Sequence, residues 1–454
     1  MAKMTHPKGL YLLFTLEMWE RFSYYGMRAL LFLYMTKALA FDSVKAGDVY
    51  GWYTSLVYLT PLLGGFLADR FWGQRKTVLF GGIIMMLGHF AMAFSEIEFF
   101  YSALILLIIG NGLFKPNIST MVGQLYGPDD PRRESGFSIF YMGINLGALL
   151  APIICGTLGE KIDWHYGFTA AGVGMALGLI IYLLGQNRYL GDIGKQPAYQ
   201  QRNDDTPKLP LTLAERHRMM VIGILVLFSI CFWAAFEQAG SSLTLFADRA
   251  TDRSLPGFIT EWVNGFVAFL NRNIPFREPL EAFDGTYPAS YFQSVNPLFI
   301  IILAPIFANL WISLARKDRE PSTPMKFFYA LVLIVIAFVV MVWAASVYME
   351  TGNLVAPTWL LMHYLFATIG ELFLSPVGLS KVSKLSPPRY TSMMMGVWFL
   401  SSFIAGKIAG SLGGLFDTMP LTDLFMIPVV FSGAAALLML AFSKKIKSWM
   451  HGIH

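Results

Sequence analysis

The chain of 454 residues carries 34 Lys and Arg against 29 Asp and Glu, for a net charge of +5. Only 14% of it is charged, 55% is hydrophobic, and its mean hydropathy is +0.54. Soluble domains average about 25% charged residues, so a soluble enzyme or nucleic-acid binder is excluded and an all-α polytopic membrane protein is predicted.

The first apolar run, Leu10 to Leu39, is long enough to cross a bilayer at about 1.5 Å per residue. It is too long and too charged for a signal peptide, and it has no small-residue cleavage site. Inside it lie Glu17, Glu20, Arg21, Tyr24 and Arg28, which fall on one stripe at helical spacing. A charge facing lipid costs at least a few kcal/mol, so the stripe must face protein or a water-filled cavity. Two carboxylates within one turn of a guanidinium also make a proton-sensitive cluster, whereas a simple packing clamp needs only one.

Further apolar spans are predicted at about 49–71, 77–94, 99–121, 136–155 and 168–187. A second set follows at about 219–246, 291–315, 326–349, 356–380, 391–415 and 424–443. Twelve transmembrane helices result, six in a first bundle (1–187) and six in a second (219–454), joined by a polar linker (188–218). Between the seventh and eighth spans a long outer segment, about 247–290, holds an apolar stretch from Gly257 to Leu270. That stretch is too short to span, so an interfacial helix is expected, with Trp262 at headgroup level. With the N-terminus inside, 23 of the Lys and Arg residues fall on inner loops and linker against 7 outside. This bias places both termini in the cytoplasm.

The four cations left within spans are Arg21, Arg28, Lys115 and Lys407, and the anions there are Glu17, Glu20, Glu237 and Glu371. Unpaired charges are costly in such an interior, so some of these must pair across the two halves. Pairs that form on one side of a carrier and break on the other act as gates around a site at the midplane. His89 and His363 are expected to be packing histidines. Lys407 either snorkels to the interface or lines the pore, and Pro116, Pro297, Pro305 and Pro376 mark kinks. Cys155 and Cys231 offer neither a disulfide framework nor metal spacing. The spans hold no Ser-His-Asp-like set and no His-Glu-x-x-His, so no enzyme and no cofactor are expected.

Several motifs carry a family resemblance. Gly64-Gly65-Phe-Leu-Ala-Asp69-Arg70-Phe-Trp-Gly73-Gln-Arg75-Lys76 is similar to the cytoplasmic loop motif of the major facilitator superfamily. The stretch Glu17-x-x-Glu20-Arg21-Phe-Ser-Tyr24-Tyr25-Gly26-Met-Arg28 resembles the first helix of the proton-dependent oligopeptide transporter family. Phe137-Ser-Ile-Phe-Tyr141-Met-Gly143-Ile-Asn145-Leu-Gly147 resembles that family's fifth helix, and Asn111-Gly-Leu-Phe-Lys115-Pro116 its fourth. Phe232-Trp233-Ala-Ala-Phe236-Glu237-Gln238-x-Gly240 resembles the seventh, and Ile369-Gly370-Glu371-Leu-Phe-Leu-Ser375-Pro376 the tenth. The linker has no room for the two extra helices of many bacterial members. The second-helix histidine of animal members falls on Gly51, which leaves protonation to carboxylates.

The resemblance implies a proton-coupled symporter that imports di- and tripeptides by alternating access. It would be a multi-pass protein of the inner (cytoplasmic) membrane, expected as a monomer, with protons as coupling ions. A short peptide is a zwitterion, so its site should offer cations to the carboxylate, an anion to the ammonium and amides to the peptide bond. Arg21 and Lys115 would bind the carboxylate, Glu371 the amine, and Glu17, Glu20 and Arg21 would couple the proton. Asn145, Asn296 and Ser375 supply further polar groups, and Tyr24, Tyr25, Tyr58 and Trp398 line side-chain pockets. Arg28–Glu237 and Lys115–Glu371 are the expected gate pairs. A same-fold carrier of nitrate, an organic anion or a drug is the alternative, and it would not need Glu371.

Overall fold

The computed structural model describes residues 5–127, 129–197, 211–273, 282–387 and 390–453, without the side chains of residues 270, 375–380, 383, 391 and 392. Parts of the predicted linker (198–210) and outer segment (274–281), and the side chains of Ser375 and Pro376, thus lie outside the described residues.

The described residues are predominantly helical. The first half holds α1 (Lys8–Lys37), α2 (Ser43–Leu59), α3 (Pro61–Leu67), α4 (Gln74–Ala91), α5 (Ile97–Gln124), α6 (Arg133–Lys161) and α7 (Trp164–Tyr189). The second half holds α8 (Leu213–Phe236), α9 (Ser242–Arg249), α10 (Gly257–Asn273), α11 (Val295–Arg316), α12 (Thr323–Thr351), α13 (Thr358–Leu385), α14 (Thr391–Gly414) and α15 (Leu421–Trp449). Eight helical segments among the described residues are long and apolar enough to cross a membrane.

Local features set three of the predicted spans apart from simple apolar helices. α1 has the length but carries the charged stripe. The second span is not one helix: Pro61 lacks the N–H that would continue α2, and a π-helical turn, Ala68–Trp72, follows α3. Thr60 at the break donates its hydroxyl to Leu56 O at 3.0 Å and to Ile108 O at 2.9 Å, which ties the junction to α5. The seventh span is interrupted by a 3₁₀ turn, Glu237–Gly240, that places Glu237 at the break. The amphipathic helix α10 is longer than predicted, and its Phe258, Trp262, Phe266 and Phe269 form one exposed stripe.

α1 is the centre of the first half, packed along α6 and α7. Gly147 makes this approach possible, since a Cβ there would run into Met18 O and come within 2.9 Å of Phe22 N. In the second half α12 packs on α13 and α15, and α8 on α14 and α15. The halves meet where α2 crosses α14, and where α6 meets α11 and the 3₁₀ turn Ala289–Ser294. The described hydrogen bonds and ion pairs between halves cluster at one end, that of the α1 C-terminus. At the opposite end Leu63 and Phe66 of α3 and Met393 of α14 are exposed.

At that opposite end the loop motif grips the start of the linker. Arg75 donates from Nε to Ile193 O and from Nη2 to Gly191 O, both at 2.7 Å. Asp69 accepts instead from Gln74 Nε2 at 3.2 Å.

Candidate functional site

The stripe on α1 is buried over its whole length, with Glu17, Glu20, Arg21 and Arg28 all shielded from solvent. Helical spacing favours Glu17, one turn before Arg21, as the main partner. The structure reverses this order. Arg21 forks onto Glu20, donating from Nη2 to Oε1 at 2.5 Å and from Nε to Oε2, while Glu17 Oε1 stands 3.4 Å from Nε. Adjacent residues rarely face each other on a helix; here the long Arg21 side chain folds back to reach its neighbour. Glu17 Oε2 has no partner among the described residues.

α5 supplies the facing groups. Asn111 donates from Nδ2 to Glu20 Oε1 at 3.2 Å, and its Oδ1 is left without a described partner. Sequence reasoning quoted Asn111 only within a motif and assigned it no role, although a buried amide one turn before Lys115 was the available signal. Lys115 lies with Nζ 4.9 Å from the centroid of Tyr58 and within electrostatic range of Glu17, Glu20 and Arg21. Arg21 rests over Tyr24 at 5.1 Å and Arg28 over Tyr25 at 5.9 Å.

Across from this wall, Glu371 of α13 accepts from Asn296 Nδ2 at 2.9 Å, and the same amide reaches Thr368 Oγ1 at 2.9 Å. Tyr25 packs edge-on against Tyr24, with ring centroids 5.1 Å apart. Asn145 is buried and donates to Tyr141 O of its own helix at 3.0 Å. Trp398 is buried in α14.

Of the two expected gate pairs, one is formed. Arg28 Nη2 pairs with Glu237 Oε2, and Arg28 Nε donates to Tyr50 OH at 2.9 Å. Among the described residues no ion pair joins Lys115 to Glu371, because each is engaged on its own wall.

The same end carries contacts that the sequence reading missed. Lys407 pairs with Asp48 across the halves, and its Nζ lies 4.8 Å from the Trp52 centroid. Lys37 meets Asp248 at 2.7 Å. Lys161 Nζ donates to both Asp284 carboxylate oxygens at 2.9 Å and to Thr286 Oγ1 at 2.8 Å. Burial opposes the charge on Asp284, but the donors Lys161 and Thr286 outweigh it and hold its carboxyl below the ordinary aspartate value. His363 is a packing residue, with Nδ1 3.0 Å from Ala337 O and its ring against Phe338. His89 is fully buried, and neither ring nitrogen has a partner among the described residues.

Comparison with known proteins gives a consistent result. A profile described as the POT family matches residues 75–202 and 283–427. An uncharacterized transporter, YclF, of Bacillus subtilis (strain 168) is 38% identical over 99% of this chain and 96% of its own length. The peptide transporter YePEPT of Yersinia enterocolitica is 34% identical over 94% of this chain and 91% of its own. A crystal structure of a peptide transporter, POT, in complex with sulfate superposes with a TM-score of 0.86 at 33% identity. It covers 100% of this chain and 97% of that one.

Proposed function

The chain belongs to the POT family, and from that premise we propose that it is a proton-coupled symporter that imports di- and tripeptides by alternating access. It is a transporter and not an enzyme, a multi-pass membrane protein of major-facilitator type. In this reading twelve spans form two six-helix bundles, residues 1–187 and 219–454, joined by the linker 188–218. Both termini lie in the cytoplasm, the protein sits in the inner membrane as a monomer, and the α10 aromatic stripe rests on the outer leaflet. No cofactor is required, since protons are the coupling ions.

The observation that carries the proposal is the pair of unlike walls. Arg21 and Lys115 stand on α1 and α5, and Glu371 with Asn296 stands opposite on α13 and α11. A zwitterion fits between them, its carboxylate toward the cations and its ammonium toward Glu371. Asn145, Tyr24, Tyr25, Tyr58, Trp398 and Ser375 complete the site. Around this site and the Arg28–Glu237 pair stand three cations, Arg21, Arg28 and Lys115, and four carboxylates, Glu17, Glu20, Glu237 and Glu371. One carboxylate is therefore in surplus, and a proton or a substrate ammonium balances it.

Coupling follows from the Arg21–Glu20 fork. While the fork holds, the guanidinium is committed to Glu20. Protonation of Glu20, with Glu17 alongside, loosens the fork and frees Arg21 for a substrate carboxylate, so proton and peptide bind cooperatively. The conformation is closed on the outer side by Arg28–Glu237 and its neighbours. Lys115 and Glu371 are the pair that would close the inner side in the opposite state.

Uptake of labelled dialanine into proteoliposomes, with and without an inward proton gradient, tests the reading. Uptake that rises with the gradient and is blocked by excess unlabelled tripeptide is expected. Absence of uptake in vesicles that hold folded protein would overturn the peptide assignment and move the cargo to an anion or drug.

A further inference from the structure

The segment Ala289–Arg316 begins without a cap of its own. Its first turn is the 3₁₀ turn Ala289–Ser294, which runs straight into α11, and the residue before it is Pro288, whose side chain offers no acceptor. The leading N–H groups of a helix need partners, and the positive end of its dipole favours an anion. Here the partner comes from the other half of the chain. The Glu160 carboxylate, on the last turn of α6, accepts from Ala289 N through Oε2 and from Ser290 N through Oε1, both at 2.9 Å.

The cap is the centre of a seam. On α6, Leu149 O accepts from Ser294 Oγ at 2.8 Å, and Thr157 Oγ1 meets Tyr291 OH at 2.7 Å. Gly156 lets the turn come close, because a Cβ there would collide with Ser290 Oγ. These contacts are neutral, and a fork onto two backbone N–H groups by one charged group is stronger than any of them. It also joins the two halves at the end where the outer gate closes.

We propose that Glu160 is a positioning residue for the transport cycle: its ionised carboxylate caps the Ala289–Arg316 span across the seam and holds the outer side shut, and a proton arriving from outside releases it. The proposal rests on the alternating-access reading but adds a latch independent of the substrate site. A protonated or amide side chain accepts at one oxygen and turns a donor or a weak acceptor toward the second N–H, so at least one bond is lost.

The charged and titratable groups carried by the elements packed here have other partners. Lys161 and Asp284 engage each other. Arg253 donates to Tyr287 O at 2.7 Å and to Asp248. The Tyr287 and Tyr291 rings stack, and Asp163 caps α7 by accepting from His165 N. His165 itself meets Met92 O at 2.8 Å through Nδ1. Among the described contacts none of these groups shares the two N–H donors, which leaves Glu160 as the group whose charge sets the cap.

The test is a distance measurement between spin labels at exposed outer positions, Ile162→Cys in the first half and Leu354→Cys in the second, with Cys155 and Cys231 replaced by serine. Acidifying the outer compartment is expected to raise the open-to-closed ratio roughly tenfold in the parent protein. Glu160→Gln is expected to be open to that extent at neutral pH and flat with acid, while Glu160→Asp keeps part of the acid step. Asp284→Asn, which removes the neighbouring ion pair, should keep the step. A Glu160→Gln protein with the parent's populations and acid response, or an acid step that vanishes in Asp284→Asn, overturns the proposal. The labels report the gate without substrate, so a failed peptide assignment leaves the result interpretable.

Discussion

Glu237→Gln is the sharpest perturbation of the proposed outer gate, and its size can be worked from the structure. The Arg28 and Glu237 side chains are only 8% and 10% exposed, so the pair is buried. Removing one charge from such a pair costs about 3–5 kcal/mol, because the other is left uncompensated. The glutamine oxygen still accepts from Arg28, and a hydrogen bond to a charged donor returns about 1.5–3 kcal/mol. The Tyr50 hydroxyl at 2.9 Å is present before and after and cancels. The closed outer gate should thus lose about 1–3 kcal/mol relative to the open one, where water solvates Arg28. That is roughly a five- to hundredfold rise in the open-to-closed ratio. Double electron–electron resonance between labels at Val44→Cys and Leu354→Cys, both exposed positions, reads this ratio directly. Unchanged populations, or a shift toward the closed state, would refute the assignment of this pair as a gate.

Other consequences follow from the same geometry. Glu20→Gln should abolish the response of uptake to a proton gradient while leaving peptide exchange measurable by counterflow; a retained response would remove Glu20 from the coupling step. Glu371→Gln should weaken dialanine uptake by roughly ten- to hundredfold, the value of a charge-assisted hydrogen bond to the ammonium, seen mainly in KM. An unchanged KM would separate Glu371 from the substrate. The Asp284 carboxyl is held below its ordinary value, so the Lys161–Asp284 contact is fully present above that ordinary value and is lost as pH falls through the lower folded one. Lys161→Met should move this loosening to higher pH, as read by hydrogen exchange of residues 282–288 corrected for intrinsic rates; no movement would show that the Lys161–Asp284 pair does not hold this segment. Gly147→Val should lower the thermal unfolding temperature, because Met18 O and Phe22 N leave no space for a side chain, and an unchanged temperature would show that α1 and α6 can separate at little cost.

Much of the site was legible because charges are conspicuous in an apolar chain. Glu17, Glu20, Arg21 and Arg28 stand out at helical spacing, and the demand for neutralisation called for some pairing across the halves, with the family resemblance pointing to Arg28 and Glu237. What stayed hidden follows from how side chains fold. The Arg21 fork onto Glu20 needs a long side chain turning back on its own helix, which spacing rules do not anticipate. Asp48 was overlooked because the second span was read from residue 49, whereas α2 begins at Ser43 and carries Asp48 toward Lys407. The break at Thr60–Pro61 has a clear signal in Pro61, but an unbroken apolar run outweighed it. Glu160 has no signature at all, since its partners are backbone amides more than a hundred residues away. Lys115 and Glu371 remain apart because a sequence pattern names complementary charges without naming the conformation in which they meet.

In the proposed cycle, buried carboxylates tie the movement of a proton to that of a peptide. The most direct measurement is the lumenal pH of proteoliposomes loaded with a pH-sensitive dye, followed as dialanine is added outside under an inside-negative potential. Acidification is expected that requires dialanine, is absent with N-acetylalanine, and is lost in Glu20→Gln. Dialanine that enters while the lumenal pH stays constant would contradict it.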